Sequence, residues 1–232
     1  MKLLQLFALM LFISINSILG QADTVVVPAD YQGDPLGAIN RFILGDTTDT
    51  GARVNPERYY KLERNKIYFL NGELHTPFDL RLIADPPDAE NKPAIVASTT
   101  GADGKPQLIQ FQLEGDGYIK NILFQMTPPG GQGESNASFF LAKEGGNYYF
   151  DNVKWEWGLW EQIVAVKPVN KIVVKNCYFR NPQHKTNIYN GRGVGFYLEN
   201  PADTVIMVNN TFFNINSFAF VADNGSIPPK FF

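Results

Sequence analysis

The sequence predicts an all-β chain wound as a parallel β-helix, a solenoid with three short strands per turn. Three observations predict it: a pattern that recurs along the chain, an abundance of aromatic and turn-forming residues, and no long stretch of helical period after the amino terminus. The 232 residues include 18 Phe, 10 Tyr and 3 Trp beside 20 Gly and 15 Pro. Aromatic side chains suit strands, and glycine and proline punctuate them with turns.

Taken from the amino terminus, Lys2 and the apolar run over 3–19 precede the small residues Gly20 and Ala22. That is the three-part build of a secretory signal peptide over 1–22, cleaved ahead of Asp23. The run approaches bilayer-spanning length, but its polar interruptions and small-residue exit favour cleavage over anchoring. The expected location is therefore extracytoplasmic, secreted or at the cell surface, with no membrane span in the mature chain. Loss of Lys2 takes the formal charge from −3 to −4. This mild acidity, with no basic patch, argues against nucleic-acid binding. The single cysteine, Cys177, has no intramolecular partner, so packing must stabilise the domain. Residues 23–54 read as a linker or cap segment. Its stretch from Gly45 to Gly51 lacks the acid pattern of a helical calcium loop.

Residues 55–232 hold the β-helix. Segments 117–124, 148–155, 172–179 and 206–213 align on Asn121, Asn152, Asn176 and Asn210. Two positions before each stands an apolar residue (Ile119, Phe150, Val174, Val208), and one before stands a polar one (Lys120, Asp151, Lys175, Asn209). Three after stands an aromatic: Phe124, Trp155, Phe179, Phe213. The alternation marks a strand with one face inward. Asparagine tolerates left-handed backbone angles, so it suits the bend, and the aromatic then re-enters the interior. Stacked coils would make an asparagine ladder and an aromatic stack. Spacings of 31, 24 and 34 residues fit a coil of about two dozen with insertions. Segments 108–113, 138–143, 162–166, 194–198 and 217–221 would form the third side. A sandwich or barrel would need regular tight hairpins, which Asn190-Gly191 and Asn224-Gly225 do not provide. The last residues, 226–232, begin a further strand without a visible cap, so more coils are expected beyond Phe232.

The runs Tyr60-Lys61-Leu62, Lys66-Ile67-Tyr68-Phe69-Leu70-Asn71-Gly72, Phe78-Asp79-Leu80-Arg81-Leu82-Ile83-Ala84 and Lys92-Pro93-Ala94-Ile95-Val96 come before these coils. They resemble the opening coil of secreted right-handed, single-stranded parallel β-helix proteins, the pectate-lyase-like superfamily. The resemblance covers roughly 55–232 at the level of fold and repeat and matches no enzyme's active-site motif. It implies a polysaccharide partner. On a lyase reading it also implies a basic proton abstractor with carboxylates holding calcium against a uronate; otherwise no cofactor or metal is expected.

The five third-side strands contain no stacked carboxylates, which weakens a catalytic reading. The polar insertion after the third asparagine offers Arg180, Lys185 and Arg192 to an anionic sugar, with His184 as acid or base. A solvated loop is the plainer account of it. Of the tryptophans, Trp155 belongs to the aromatic column and Trp157 shares its face, so both are expected in the core. Trp160, past Gly158, is the one expected to be accessible for stacking on a sugar. Fold alone assigns no activity. The expectation is a glycan-interacting or surface-associated β-helix protein, the alternative being part of a polysaccharide lyase or glycoside hydrolase.

Overall fold

The computed structural model describes residues 23–101, 103–128, 135–182, 192–196, 202–215, 220–221 and 230–231. A first strand, β1 (Thr24–Val26), and a short helix, α1 (Ala38–Leu44), precede the coils. The first coil is β2 (Tyr59–Leu62), β3 (Ile67–Phe69) and β4 (Leu74–Thr76), and the second is β5 (Leu80–Ala84), β6 (Ala94–Ala97) and β7 (Ile109–Leu113). Then come β8 (Gly117–Lys120), β9 (Ile122–Gln125) and β10 (Ala137–Leu141), followed by β11 (Asn147–Asp151), β12 (Lys154–Glu156) and β13 (Glu161–Ala165). The fifth coil is β14 (Val169–Lys175), β15 (Tyr178–Arg180) and β16 (Arg192–Phe196). After it lie β17 (Ala202–Val208), β18 (Thr211–Phe213), β19 (Phe220–Val221) and β20 (Lys230–Phe231).

β1 pairs with β2, and each strand from β2 to β17 pairs with the strand three further along, always parallel, so the chain visits three sheets in rotation. The first sheet has eight strands in the order β1-β2-β5-β8-β11-β14-β17-β20, and the second and third have six each. The all-β reading and the parallel coils are therefore as the sequence predicts. The third-side segments correspond closely to β7, β10, β13, β16 and β19. The segment expected as a linker or cap over 23–54 contributes a strand to the first sheet. Thr24–Val26, a β-branched run, pairs with β2 as the sheet's opening strand. Helix α1 buries Ile39 and Ile43, and the Gly37 N–H donates to Phe69 O at 2.8 Å.

All three sheets turn alternate residues into one core. Tyr60, Leu82, Ile119, Phe150 and Val174 line it from the first sheet, and Phe111, Phe139, Ile163 and Val194 from the third. From the second sheet come Tyr68, Val96, Phe124, Trp155 and Phe179, all fully buried. Their rings stack along the chain of coils: Phe124 on Trp155 at 6.2 Å, Trp155 on Phe179 at 4.6 Å, Phe179 on Phe212 at 4.6 Å. The last pair corrects the sequence reading, which put Phe213 in this column. Phe213 is in register with Arg180 and is 54 % exposed, while Phe212 takes the stacking place.

The bend after the first sheet is left-handed in every aligned coil: φ is 62° at Asn121, 53° at Asn152, 55° at Asn176 and 54° at Asn209. Asn152 Nδ2 donates to Asn121 Oδ1 at 2.9 Å, and Asn209 Nδ2 donates to Asn176 Oδ1 at 2.9 Å. Asn176 Nδ2 turns instead to Asp151 Oδ1 at 3.0 Å. The fourth member is thus Asn209, not Asn210. Asn210 ties two strands together another way, donating to Val174 O and accepting from the Cys177 N–H, both at 2.9 Å. The twin pairs Asn209-Asn210 and Phe212-Phe213 make the slip invisible in sequence, and the exposed Val208 hides the true register by occupying the polar column.

Candidate functional site

Side chains on a strand alternate, so each inward residue of the first sheet leaves its neighbours facing out. Pairing puts Tyr59, Arg81, Tyr118, Tyr149, Val173 and Ile206 in one outward row, one strand spacing apart. A parallel row holds Lys61, Ile83, Lys120, Asp151, Lys175 and Val208. Strand spacing of about 4.8 Å makes both rows continuous side-chain stripes. The rings of Tyr59 and Tyr118 meet edge-on at 6.0 Å, and the Arg81 guanidinium lies 5.8 Å from the Tyr59 ring centre. Arg81 is positioned by its bond to Pro56 O at 2.9 Å and by its ion pair with Glu57.

A cleft of about 210 Å³ opens between these side chains, lined by Tyr59, Asp79, Arg81, Asp116, Tyr118 and Tyr149, with Asn147 at its head. The turns leading into β5 and β8 supply the two carboxylates. Gly115 makes that possible, because a Cβ there would sit 2.1 Å from the Phe78 carbonyl carbon. The close approach lets the Asp116 N–H donate to Asp79 Oδ1 at 2.8 Å. Lys143 then bridges both acids, its Nζ 2.8 Å from Asp116 Oδ1 and 3.6 Å from Asp79 Oδ1. Burial pushes the Asp116 carboxyl up. The Lys143 ammonium and the Asn147 N–H outweigh burial and hold it below the usual carboxylate range. The hydrogen bond to Asp116 raises Lys143 in turn. In the second row, burial raises Asp151, and the Asn176 amide with Lys175 and Lys120 brings it below its ordinary value. The face therefore combines aromatic rings, fixed cations and firmly ionised carboxylates. It can stack on sugar rings and hydrogen-bond hydroxyl and carboxylate groups.

A second groove, of about 460 Å³, runs along the third sheet. Leu108, Ile109, Phe140, Trp160 and Val166 form its apolar wall, and Glu73, Gln112 and Asn136 its polar groups. Trp160 is thus placed at a cleft. Arg180, exposed at the end of β15, has its Nε 3.3 Å from Glu156 Oε1 and lines neither cleft. His184 and Lys185 lie outside the described residues, as do 1–22. Arg192 opens β16, in register with Glu161. Trp157 departs from its expected place in the core. The chain bends there with φ 67°, which resets the strand alternation and leaves the side chain 37 % exposed.

The tyrosines and acids of the first sheet went unrecognised in the sequence, although a signal existed. Tyr118 and Tyr149 stand three residues before Asn121 and Asn152, while Asp116 and Asn147 stand five before. Extending the aligned columns upstream would have exposed both. Among the described residues no group of three or more His, Cys, Asp or Glu side chains is placed to hold a metal ion. No described helix is long and apolar enough to cross a membrane. No protein-family model matches the chain, and no curated protein matches it.

Proposed function

We propose that this chain is an exported right-handed β-helix that binds a uronate-containing polysaccharide along the outer face of its first sheet. The observation behind the reading is the in-register row of Tyr59, Arg81, Tyr118 and Tyr149, which walls a cleft open to solvent. A linear polymer meets side chains at the same register position in successive coils, so an extended ligand suits a face that repeats along one axis. Tyrosine rings offer their faces to pyranose C–H groups, and Arg81, Lys120 and Lys175 offer cations to carboxylates. Right-handed winding follows from the strong preference for right-handed parallel crossovers, which each coil must make to return to its sheet. Export rests on the signal-like residues 1–22.

The alternative is a lyase or hydrolase, to which the Asp79–Lys143–Asp116 cluster gives a specific motive. General acid–base catalysis works best with a group poised near the working pH. Asp116 is held low and Lys143 high, each firmly in its charged form at neutral pH. That favours holding a ligand over turning it over.

Titration calorimetry of the full chain with polygalacturonate tests the reading. Tyr118→Ala and Tyr149→Ala are expected to weaken binding about ten-fold each, in line with about 1–2 kcal/mol for a lost aromatic platform. Binding unchanged in both variants would defeat the assignment of this face. Release of unsaturated, ultraviolet-absorbing products would favour the lyase alternative instead.

A further inference from the structure

At the end of the second sheet three successive coils, those of β12, β15 and β18, bend again through left-handed backbone. Asn181 (φ 56°) and Asn214 (φ 52°) take that position, with Asn214 Nδ2 donating to Asn181 Oδ1 at 2.7 Å. One coil earlier the in-register residue is Trp157, at φ 67°. Asparagine tolerates this conformation, and a bulky side chain is an outlier in it. Trp157 is held there from both sides. Its N–H donates to Arg180 O at 2.9 Å, and its carbonyl accepts from Gln162 Nε2 at 3.1 Å. The indole does not belong to the core and remains 37 % exposed. Strain kept at an exposed aromatic is a sign of use.

Three residues on, the Trp160 N–H donates to Asn136 O at 2.9 Å, and Trp160 walls the groove of the third sheet. Among the described residues the polar groups of that groove are two amides and the Glu73 carboxylate, and no described lysine or arginine lines it. Its chemistry therefore differs from the cationic stripe of the first sheet. It would repel a uronate and suit hydroxyl groups, which both donate to a carboxylate and bond with amides.

We propose that Trp157 and Trp160 form a second sugar subsite, separate from the tyrosine face, whose occupant is an uncharged hexopyranose chain. The indole of Trp157 stacks on a ring at the corner, and the groove beyond Trp160 takes the next units. The proposal rests on reading the molecule as a glycan binder and extends it to a second ligand class.

The test uses the full chain, with cellohexaose and mannohexaose as neutral probes, polygalacturonate as the anionic one, and thermal melting alongside. Trp157→Asn should raise the melting temperature, because asparagine accepts the left-handed angle. It should lower affinity for a neutral hexaose at least ten-fold and leave polygalacturonate affinity unchanged. Trp157→Phe should keep most of the neutral binding. Three outcomes overturn the proposal: neither hexaose binds the native protein, Trp157→Asn binds them unchanged, or Trp157→Asn weakens all ligands together with a lower melting temperature. Tyr118→Ala separates the two sites, since it should affect polygalacturonate alone. A chain that binds no polygalacturonate therefore still gives a readable result with the neutral probes.

Discussion

Residue identity matters most in this chain where the backbone turns left-handed. At Asn152 the side chain does two things: it tolerates φ 53° and it donates to Asn121 Oδ1. Alanine loses both. Left-handed strain costs about 1–2 kcal/mol and the lost hydrogen bond about 1 kcal/mol, so Asn152→Ala should destabilise by about 2–3 kcal/mol in urea unfolding. Asn152→Gly, which frees the backbone but lacks the amide, should recover a large part of that loss. Equal losses in the two variants would mean that backbone angle is not what asparagine supplies here. Legibility was high at this scale for Asn121, Asn152 and Asn176, because angle tolerance leaves a strong mark on residue choice. It failed at Asn209, where a neighbouring asparagine fits the same pattern. It failed at Trp157 too, where nothing in the residue type announces a left-handed bend.

At the scale of elements, the second sheet is held by its ring column. Phe179 lies between Trp155 and Phe212 at 4.6 Å from each, so its removal opens a void between two coils. Phe179→Ala should cost about 3–5 kcal/mol, read as a drop in urea midpoint at unchanged slope. Strand positions in this column could be read from spacing alone, since an aromatic recurs three residues after each bend. The outer face was harder to read. Tyrosine serves equally as a core filler and as an exposed platform, and Tyr60 and Tyr148 are in fact buried while Tyr149 is not. Only register separates these roles. β1 was missed for a different reason: its partner β2 lies more than thirty residues away, across α1, and no local pattern links them.

For the molecule as a whole, charge couples stability to pH. Asp116 and Asp151 are held below their ordinary values, and hydrogen bonds from Asn91 and the Glu90 and Asn91 N–H groups take Asp88 down to about 2. Depressed carboxyls stabilise the fold above their unfolded pKa, about 4, and that contribution disappears as pH falls through the folded values. The melting temperature should therefore be level near neutrality and fall between about pH 4 and 2. Asp116→Asn should flatten part of that acid limb; an unaltered limb would show that the Lys143 pair does not couple to folding. Lys143, being raised, acts at the other end, and its contribution is lost as pH climbs above its unfolded value of about 10.4.

Because each strand of the coils is bonded only to its counterparts in the coils before and after it, a load applied lengthwise would meet the coils in series. Tension would peel them from an end one at a time, each freeing two to three dozen residues, about 80–120 Å of slack. A chain held at both ends would then lengthen stepwise under load instead of failing at once.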